Sequence, residues 1–341
     1  IISCNVFINT ENKLIWKNGS FQKWDDTSVH ILSHTLHYGT GVFEGVRAYK
    51  TSKGPAIFRL HEHTDRLFNA ADKLNIKIPF SKDQINNIQC EILNKNNLNE
   101  GYIRPIVYLG NEGLGLRAKD LSVNVAVAAW EWPSYMDPQA KENGISVIKS
   151  SHRQYENPLH SGNKIIGTYF SNTMALHEAL DSGADEAIML DKNGYISEGS
   201  GENIFLVKDN IIFTPTTDHC LNGITRQSVI KIAKDNKIQV IEDHFNLDFL
   251  KDCEEVFLTG SVPIKNWKLG ENGIYQTDID QGVWQLTVNG QLANVARWPD
   301  ASFEDDALFV RERVMRYTDS NFDHKKRIHL SDTRAGIIKD M

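Results

Sequence analysis

The sequence predicts an α+β protein of two domains followed by a tail of different character. Its 341 residues are enough for two domains, and short strand patterns are mixed with amphipathic helix patterns along the chain. The stretch WEWPSYMDP, residues 130–138, has two prolines where the composition turns aromatic, which is typical of a linker. We predict an N-terminal extension at 1–13, a small α/β domain at 14–130, an interdomain linker at 131–138, a large domain at 139–265 and a divergent tail at 266–341.

In the first predicted domain, short strands alternate with turns from about Leu14 to Leu60. A helix follows, with Leu67 on its apolar stripe and Pro79 at its end. The pattern predicts a second helix over residues 81–95. Two apolar runs, GYIRPIVYLG and SVNVAVAAW, are predicted as buried strands joined by the loop GNEGLGL.

The second predicted domain contains a strand in ISVIKSSHRQ and a helix over Thr168–Asp181. The stretch Asp191–Pro215 then predicts two strand-turn-strand units back to back, with turns at residues 192–194 and 208–210. The segment NGITRQSVIKIAKDNK predicts a further helix, and EEVFLTGS predicts a core strand. After about Ile264 the sequence becomes polar and weakly periodic, which separates the tail from the domain before it.

Composition and charge favour small-molecule partners. The net charge of -7 and the pI near 6.0 leave no basic stripe for nucleic acid. No apolar run has the length of a membrane span, and the opening residues lack the pattern of a signal peptide. We therefore expect a cytoplasmic location, with neither nucleic acid nor membrane as a partner. The four cysteines are far apart and are predicted to be free thiols.

The histidines do not follow a metal-binding pattern. His30, His34 and His37 lie close together in the sequence, and a His-Glu-His triplet follows at 61–63. Neither group matches H-E-x-x-H or a zinc spacing. We predict solvated or hydrogen-bonded histidines and no metal site.

Three separate features could bind a phosphate group. A glycine precedes Ile224 and Thr225 at a predicted helix N-terminus, whose N–H groups and dipole attract anions. Ser261, after a glycine at the end of a strand, offers further donors, and Arg66 offers a positive charge. Each feature alone is also explained by an ordinary cap or turn, so only their coincidence would indicate a phosphate site.

Lys164 is the candidate nucleophile. It lies between Gly-Asn and Ile-Ile just before a helix, a setting in which desolvation lowers the pKa of a lysine; the alternative is an ordinary solvated lysine. Tyr169 could hydrogen-bond to whatever Lys164 attaches to, or be a half-buried aromatic residue. Glu198, beside Gly-Ser-Gly, could hold a ring nitrogen protonated. A lysine, a phosphate site and such an acid are together what pyridoxal 5'-phosphate requires.

Five segments resemble those of the branched-chain-amino-acid aminotransferases, which are pyridoxal-phosphate enzymes of fold-type IV. They are VHILSHTLHYGTGVFEGVRAY, GYIRPIVYLG, SGNKIIGTYFSN, NGYISEGSGENIF and NGITRQSVIKIAK, in the family's order, within about Leu14 to Pro263. The resemblance implies a two-domain fold-type IV aminotransferase body, whose large domain binds the cofactor, with an atypical C-terminal tail that does not match the family. Within this tail, GVWQLTVNGQLANVARWPD is similar to a segment of some polysaccharide-degrading enzymes, which suggests a foreign tail.

The resemblance implies a role for each matching residue. Lys164 corresponds to the catalytic Schiff-base lysine, Tyr169 to the partner of the cofactor's ring hydroxyl, and Glu198 to the acid on its pyridine nitrogen. The residues implied in phosphate binding are Arg66, Ile224, Thr225 and Ser261. The residues implied in substrate binding are Tyr38, Phe43, Tyr102, Trp132 and Tyr135, as walls of a hydrophobic pocket, and Arg104, which receives the second carboxylate of glutamate.

The implied reaction is a ping-pong transamination of L-leucine, L-isoleucine and L-valine with 2-oxoglutarate, as in branched-chain amino-acid biosynthesis. It gives branched-chain 2-oxo acids and L-glutamate. The loop GNEGLGL is implied to reach the pocket of a second subunit, which predicts a homodimer or a higher homo-oligomer.

Other activities remain open from the sequence. D-amino-acid aminotransferase and aminodeoxychorismate lyase share the lysine and the glutamate, but HYGTGVFEGVR favours the branched-chain group. Two further alternatives are an inactive chimera, in which the tail has destroyed the site, and a carbohydrate-binding role for Trp284 and Trp298 in the tail.

Overall fold

A computed structural model describes residues 10–132, 145–155 and 162–260, and the backbone of short strands between residues 267 and 337. The chain divides into two compact units: the first is Ile1–Tyr135 with Asn163–Phe170, and the second is Met136–Gly162 with Ser171–Met341. The predicted linker at 131–138 lies mostly outside the described residues, so the predicted domain boundaries stay a prediction. Within the described part of the chain, no helix is both long enough and apolar enough to cross a membrane.

The first unit is built on an antiparallel seven-stranded sheet. Its elements are β1 (Leu14–Lys17), β2 (Ser20–Lys23), α1 (His34–Tyr38), β3 (Gly41–Phe43), β4 (Val46–Thr51), β5 (Gly54–Ile57), α2 (Leu60–Lys73), α3 (Lys82–Lys95), β6 (Gly101–Leu109) and β7 (Val123–Trp130). The strand order is β2-β1-β7-β6-β4-β5, and β3 pairs with β6 beside this path. The two predicted buried strands are present as β6 and β7, which pair with each other along their length.

The two long helices of this unit have local determinants at their ends. The sequence pattern predicted that α2 would continue to Pro79, but it ends at Lys73, because Asn75 adopts a left-handed conformation with φ 55° that stops the helix. α3 agrees with the predicted span, with Ser81 as its N-cap. A capping box holds this end: Gln84 N donates to Ser81 Oγ (3.2 Å), and Ser81 N donates to Gln84 Oε1 (2.8 Å).

The core of the first unit joins the sheet to α2 and α3. Leu67 of α2, Ile92 of α3 and Ile103 of β6 are fully buried in one apolar cluster, and burying a side chain of this size contributes about 1.5–3 kcal/mol. Ile165 belongs to the same cluster. The segment that carries Lys164 is therefore anchored to the first unit through the neighbouring isoleucine.

Among the described residues between 145 and 260, the second unit contains two sheets. Its elements are β8 (Val147–Arg153), α4 (Tyr169–Asp181), whose first two residues belong to the first unit, β9 (Glu186–Leu190), β10 (Ile196–Glu198), β11 (Asn203–Lys208), β12 (Ile211–Pro215), α5 (Ile224–Asp235), β13 (Val240–Asp243) and β14 (Glu255–Thr259). One sheet has the order β10-β9-β8 and the other β13-β12-β11-β14. The pairs β8–β9 and β12–β13 are parallel, and the remaining pairs are antiparallel. A 3-10 helix occurs at Leu247–Asp252 in this unit, and a 3-10 turn occurs at Ile166–Thr168 in the first unit.

Strand β11 is buried on both faces. Ile204 and Leu206 belong to one apolar cluster, and Phe205 and Val207 belong to another, as the alternation of side chains along a strand requires. This central position fixes Asn203, the first residue of β11, close to the end of β10.

Both predicted strand-turn-strand units are present in the second unit. β9 pairs antiparallel with β10, and β11 pairs antiparallel with β12. In the second turn, Asp209 and Asn210 both have positive φ (52° and 63°), as a two-residue hairpin turn requires. In the first turn, Asp191 Oδ1 accepts hydrogen bonds from the N–H groups of Asn193 (2.9 Å) and Tyr195 (2.7 Å).

Beyond residue 260 the structure describes the backbone of short strands. They are β15 (Trp267–Leu269), β16 (Tyr275–Thr277), β17 (Leu286–Val288), β18 (Gln291–Ala293), β19 (Ala296–Arg297), β20 (Leu308–Phe309), β21 (Arg327–Leu330) and β22 (Arg334–Ile337). β15, β16, β20 and β19 form one small sheet, and β17–β18 and β21–β22 form two-stranded pairs. Trp284 and Trp298 lie outside the described residues, so the carbohydrate-binding alternative stays a prediction.

Candidate active site

The first unit contains a partly buried lysine in contact with a tyrosine. Lys164 Nζ donates a hydrogen bond to Tyr169 Oη at 2.7 Å. It lies 5.3 Å from the centre of the Phe43 ring and 5.1 Å from that of the Tyr169 ring. Phe43 and Tyr169 are in edge contact, with ring centroids 4.8 Å apart. Aromatic faces and a phenol thus replace part of the water shell that a surface lysine would have.

Backbone contacts fix the segment that carries Lys164. Phe43 N donates to Lys164 O (3.1 Å), and β3 forms an isolated bridge with the same segment. Gly167 N donates to Gly39 O (3.0 Å), and a Cβ on Gly39 would lie 2.5 Å from the Cα of Gly167. Gly39 also has φ +67°. Glycine is needed here because a side chain would force the two segments apart.

Three predicted pocket residues lie together with Phe43. Arg104 Nη2 donates to Tyr102 Oη (2.8 Å), and its guanidinium lies 4.7 Å from the centre of the Phe43 ring. The rings of Tyr102 and Trp132 are in edge contact, with centroids 4.6 Å apart. Tyr102 and Arg104 are two positions apart on β6, so the strand presents both on one face. We call Phe43, Tyr102, Arg104 and Trp132 the aromatic–arginine wall.

Other predicted residues are not part of this wall in the described structure. Tyr38, at the end of α1, is 39% exposed, and its ring contacts those of His34 and His37. Tyr135 and Ser261 lie outside the described residues. The roles predicted for Tyr38, Tyr135 and Ser261 stay predictions.

A buried carboxylate holds Arg66. Glu44 is fully buried and accepts hydrogen bonds from Arg66 Nε (2.6 Å) and Nη2 (2.9 Å) and from His63 Nδ1 (2.8 Å). Burial alone would raise the pKa of Glu44, but the charge of Arg66 and the hydrogen bond from His63 outweigh it and hold the pKa well below its usual value. Burial lowers the pKa of His63, so the neutral ring is the donor. Two of the five N–H donors of Arg66 are committed to Glu44, which orients the guanidinium.

The pKa of Lys164 differs from the sequence prediction. Burial favours the neutral amine, as predicted, but Tyr169 and the carboxylate of Glu44 favour the charged form more strongly, so the pKa is raised above its usual value. The predicted lowering of the pKa of Lys164 is therefore wrong for the chain alone. The desolvation of Lys164 could be inferred from its apolar neighbours in the sequence. The effect of Glu44 could not, because Glu44 lies far from Lys164 in the sequence.

The second unit contains the predicted acid, Glu198, at the end of β10. Glu198 is buried, and its Oε2 accepts hydrogen bonds from Asn203 Nδ2 (3.1 Å) and Leu221 N (3.0 Å). Its Oε1 accepts one from Gln154 Nε2. Donors on both carboxylate oxygens fix the orientation of the group.

Helix α5 begins close to Glu198, because Leu221, which donates to this carboxylate, precedes the start of the helix by a few residues. Its N-cap is Gly223, which has extended backbone (φ -63°, ψ 138°) and no side-chain cap. A Cβ on Gly223 would lie 2.1 Å from Asn203 Oδ1, so the close approach requires glycine. Thr225 Oγ1 donates to Gly260 O at 3.5 Å. The start of α5 therefore lies close to Gly260, whereas Ser261, the next residue, lies outside the described residues.

Two further carboxyl groups, those of Glu186 and Glu202, lie beside the Gly-Ser-Gly turn. Glu186 Oε1 accepts hydrogen bonds from Ala187 N (2.7 Å) and Ser200 N (3.1 Å), and Glu202 Oε2 accepts one from Gly201 N (3.0 Å). Burial and the charge of Glu186 raise the pKa of Glu202 well above its usual value. Burial also raises the pKa of Glu186. The fold thus favours a proton on this pair of carboxyl groups.

Several residues that were not predicted from the sequence hold the predicted ones in place. They are Glu44, His63, Gln154 and Asn203. Glu44 could have been found, because a charged residue that directly follows Phe43 in an otherwise apolar motif needs a buried partner. Gln154 gives no such signal, since its neighbour Glu198 is reached only through the pairing of β8, β9 and β10.

Comparison with known proteins identifies the family. The model of the family described as Amino-transferase class IV matches residues 41–267. The chain is 48% identical over 250 residues to a branched-chain-amino-acid aminotransferase of Pseudomonas aeruginosa, covering 73% of this chain and 81% of that protein. It is 42% identical over 251 residues to the enzyme of the same description from Escherichia coli, covering 73% and 81%.

Solved structures agree with the sequence relatives. The crystal structure of the Escherichia coli branched-chain amino acid aminotransferase matches with a TM-score of 0.71 at 40% identity, covering 74% of this chain and 84% of that chain. The T.th. branched-chain amino acid aminotransferase complexed with N-(5'-phosphopyridoxyl)-L-glutamate matches with a TM-score of 0.70 at 42% identity, covering 74% and 83%.

The chain therefore belongs to the class IV aminotransferases, which confirms the predicted fold-type IV body. Within that class it belongs to the branched-chain-amino-acid aminotransferase family. The predicted resemblance and enzyme class are confirmed. The family match ends at residue 267, next to the predicted start of the tail.

Proposed function

We propose that the chain catalyses the ping-pong transamination of L-leucine, L-isoleucine and L-valine with 2-oxoglutarate, using pyridoxal 5'-phosphate. The observation that carries this proposal is the 2.7 Å hydrogen bond between Lys164 Nζ and Tyr169 Oη, beside the ring of Phe43. An oriented primary amine next to an apolar wall is what amine exchange on an aliphatic substrate needs.

The residues present fit this cofactor. When bound, pyridoxal phosphate supplies an electron-accepting ring that stabilises negative charge at the substrate's α-carbon. Lys164 offers the amine for the covalent link, and Glu198 is a buried, oriented carboxylate suited to a ring N–H. The N-cap of α5, Gly223, makes no side-chain cap hydrogen bond, and the N–H groups and dipole at a helix N-terminus suit an anion. The phosphate is assigned to Arg66, Ile224, Thr225 and Ser261, and the ring hydroxyl to Tyr169.

Lys164 is assigned the proton transfers. The neutral amine at Nζ takes the proton from the substrate's α-carbon as general base. The resulting ammonium then donates that proton as general acid. Burial and the charge of Arg66 lower the pKa of Lys164, while Tyr169 and Glu44 raise it by more, so Nζ takes up a proton readily. The hydrogen bond to Tyr169 fixes the direction in which Nζ presents that proton.

The aromatic–arginine wall suits both substrates of the proposed reaction. Each buried methylene contributes about 0.8 kcal/mol, so the three extra carbons of leucine relative to alanine favour leucine by about 2.4 kcal/mol, or about 60-fold. Arg104 Nε is buried and has no hydrogen-bond partner in the part of the chain that the structure describes, and Arg104 Nη2 already donates to Tyr102. A guanidinium with an unused donor at the edge of an apolar wall can receive the side-chain carboxylate of glutamate.

A homodimer is also proposed. Large apolar side chains are exposed on two neighbouring segments of the first unit: Ile31 is 74% exposed, Leu36 60% and Leu116 87%. His34 Nε2 lies 3.3 Å from Gly115 O, which joins the two segments. Exposed apolar side chains that cluster in this way mark an association surface, and Leu116 is in the loop predicted to reach a second subunit.

The remaining partners are proposed to be amino acids and 2-oxo acids in the cytoplasm. The net charge of -7 supports neutral or small ionic partners over nucleic acid. The predicted role in biosynthesis rests on the family resemblance alone.

Steady-state assays of the full chain with added pyridoxal phosphate test the proposed function. We expect L-glutamate to form from 2-oxoglutarate with L-leucine, and not with D-alanine, as the amino donor. Lys164→Ala should abolish this activity, whereas Lys149→Ala, which removes an exposed lysine on β8, should leave it unchanged. Activity with D-alanine alone would favour the D-amino-acid enzyme. Wild-type activity of Lys164→Ala would refute the assignment of the lysine.

A further inference from the structure

Three potential metal ligands converge in the second unit, apart from every residue assigned to the cofactor. The ligand atoms of Asp218, His219 and His244 all lie within 4.8 Å of one another. We call these three residues the His–Asp cluster. His219 Nε2 lies 3.4 Å from Asp218 Oδ2, and the rings of His219 and His244 are 4.7 Å apart between centroids.

The sheet explains why residues distant in the sequence meet here. β12 and β13 are parallel, with Pro215 opposite Asp243, so both strands end at the same edge of the sheet. Asp218 and His219 follow β12, and His244 directly follows β13. The spacing of these residues in the sequence does not predict the cluster, because they are brought together by the parallel pairing of β12 and β13, which is a long-range contact.

A buried carboxylate independently indicates a ligand on His219. Asp191 is fully buried, and its Oδ2 has no hydrogen-bond partner among the described residues but lies 3.3 Å from His219 Nδ1. Its other oxygen is held by the N–H groups of Asn193 and Tyr195, so the carboxylate cannot turn away. A metal-bound histidine characteristically has a carboxylate beside its second ring nitrogen. Asp191 lies beside Nδ1 of His219, so that the other ring nitrogen, Nε2, faces Asp218.

The spacing suits a small tetrahedral ion. Zinc binds histidine nitrogen and carboxylate oxygen at about 2.0–2.2 Å, which separates tetrahedral ligand atoms by about 3.4 Å. The pair His219 Nε2 and Asp218 Oδ2 has this separation already. His244 and Asp218 are exposed, so small side-chain rotations can bring the third ligand into place.

We propose that Asp218, His219 and His244 bind a divalent transition-metal ion of the zinc class, with water completing the coordination and Asp191 orienting His219. Two imidazoles and one carboxylate suit zinc, nickel or copper, whereas magnesium and calcium require mostly oxygen ligands. The ion fastens the loop between β12 and α5 to the end of β13. None of its residues is assigned a role in the proposed transamination.

Zinc binding to the untagged full chain, loaded with pyridoxal phosphate and stripped of metal by a chelator, tests this proposal. Equilibrium dialysis against zinc chloride measures the number of zinc ions bound per chain. The wild type should bind one zinc ion more than His244→Gln or Asp218→Asn. His177→Gln, which removes an exposed histidine on α4 outside the cluster, should bind as the wild type does. Asp191→Asn should weaken zinc binding by about 10–100-fold, which is the usual effect of removing a carboxylate that contacts the second ring nitrogen of a metal-binding histidine. Excess magnesium should not compete.

Two outcomes would overturn the metal site. One is equal zinc binding by the wild type, His244→Gln and Asp218→Asn, which would mean that the ion binds to other surface groups only. The other is an unchanged rate of hydrogen exchange in the loop before α5 when zinc is added, since a bound ion must restrain that loop. Slower exchange in the wild type and in His177→Gln, but not in His244→Gln, would support it.

Discussion

The contact between Glu44 and Arg66 gives a quantitative test of how the first unit positions its buried cation. Glu44→Gln keeps the side-chain volume and removes the negative charge. Arg66 would then stay buried without its anion, and the amide NH2 of glutamine would face the donors of Arg66 or His63. We expect the variant to lose about 3–5 kcal/mol in free energy of unfolding, as when one partner of a buried pair is removed.

The distances support this magnitude. Contacts of 2.6 and 2.9 Å place the two charge centres roughly 4 Å apart, where unit charges attract by about 4 kcal/mol at an effective dielectric near 20. Although burial opposes it, the net effect of Arg66 and His63 is to lower the pKa of Glu44. The stabilisation is therefore present above the unfolded pKa of about 4.3 and is lost as the pH falls toward the lower folded pKa. Glu44→Gln should therefore show its full loss in free energy of unfolding at neutral pH.

Urea unfolding at neutral pH, followed by circular dichroism, measures this cost. The matched control is Glu62→Gln on α2, the helix that carries Arg66, which removes a partner of Arg59. That contact is similarly short at 2.8 Å, but the Glu62 side chain is 44% exposed, so its loss should cost less than about 1 kcal/mol. Equal losses for Glu44→Gln and Glu62→Gln would refute the reasoning.

Three further predictions address other parts of the molecule. Glu198→Gln should lower kcat for L-leucine by at least about 100-fold, while the absorption band of pyridoxal phosphate shows that the cofactor stays bound. An unchanged kcat would contradict the role of Glu198. Burial and Glu186 raise the pKa of Glu202, so its contribution to stability is present below the unfolded pKa and is lost as the pH rises toward the folded one. Urea unfolding should therefore show Glu202→Gln gaining stability relative to the wild type as the pH rises above the unfolded pKa of about 4.3, and a difference that stays constant with pH would count against it. Leu116→Asp should give a monomer in sedimentation at concentrations where the wild type is a dimer, and a dimeric variant would argue against the proposed surface.

Elements with determinants a few residues apart could be predicted from the sequence. The capping box of Ser81 and Gln84 starts α3, and Asp209 and Asn210 form the hairpin turn between β11 and β12. The glycine before α5 is the observed N-cap. In the same way, Tyr102 and Arg104 share a face of β6 because a strand alternates its side chains.

Features that depend on distant segments could not be predicted in this way. The raised pKa of Lys164 depends on Glu44, which belongs to another segment of the first unit. The donors around Glu198 come from three separate segments of the second unit, and its role came from the family resemblance. The early end of α2 is local, but Pro79 gave the stronger signal in the sequence and concealed Asn75.

The visible absorption spectrum of the purified full chain tests the central claim most directly. We predict that the chain takes up pyridoxal phosphate and shows its visible band, that L-leucine bleaches this band, and that 2-oxoglutarate restores it. Lys164→Ala should show neither change. A chain that takes up no pyridoxal phosphate, or whose band L-leucine leaves unchanged, would contradict the proposed transamination and favour an inactive protein.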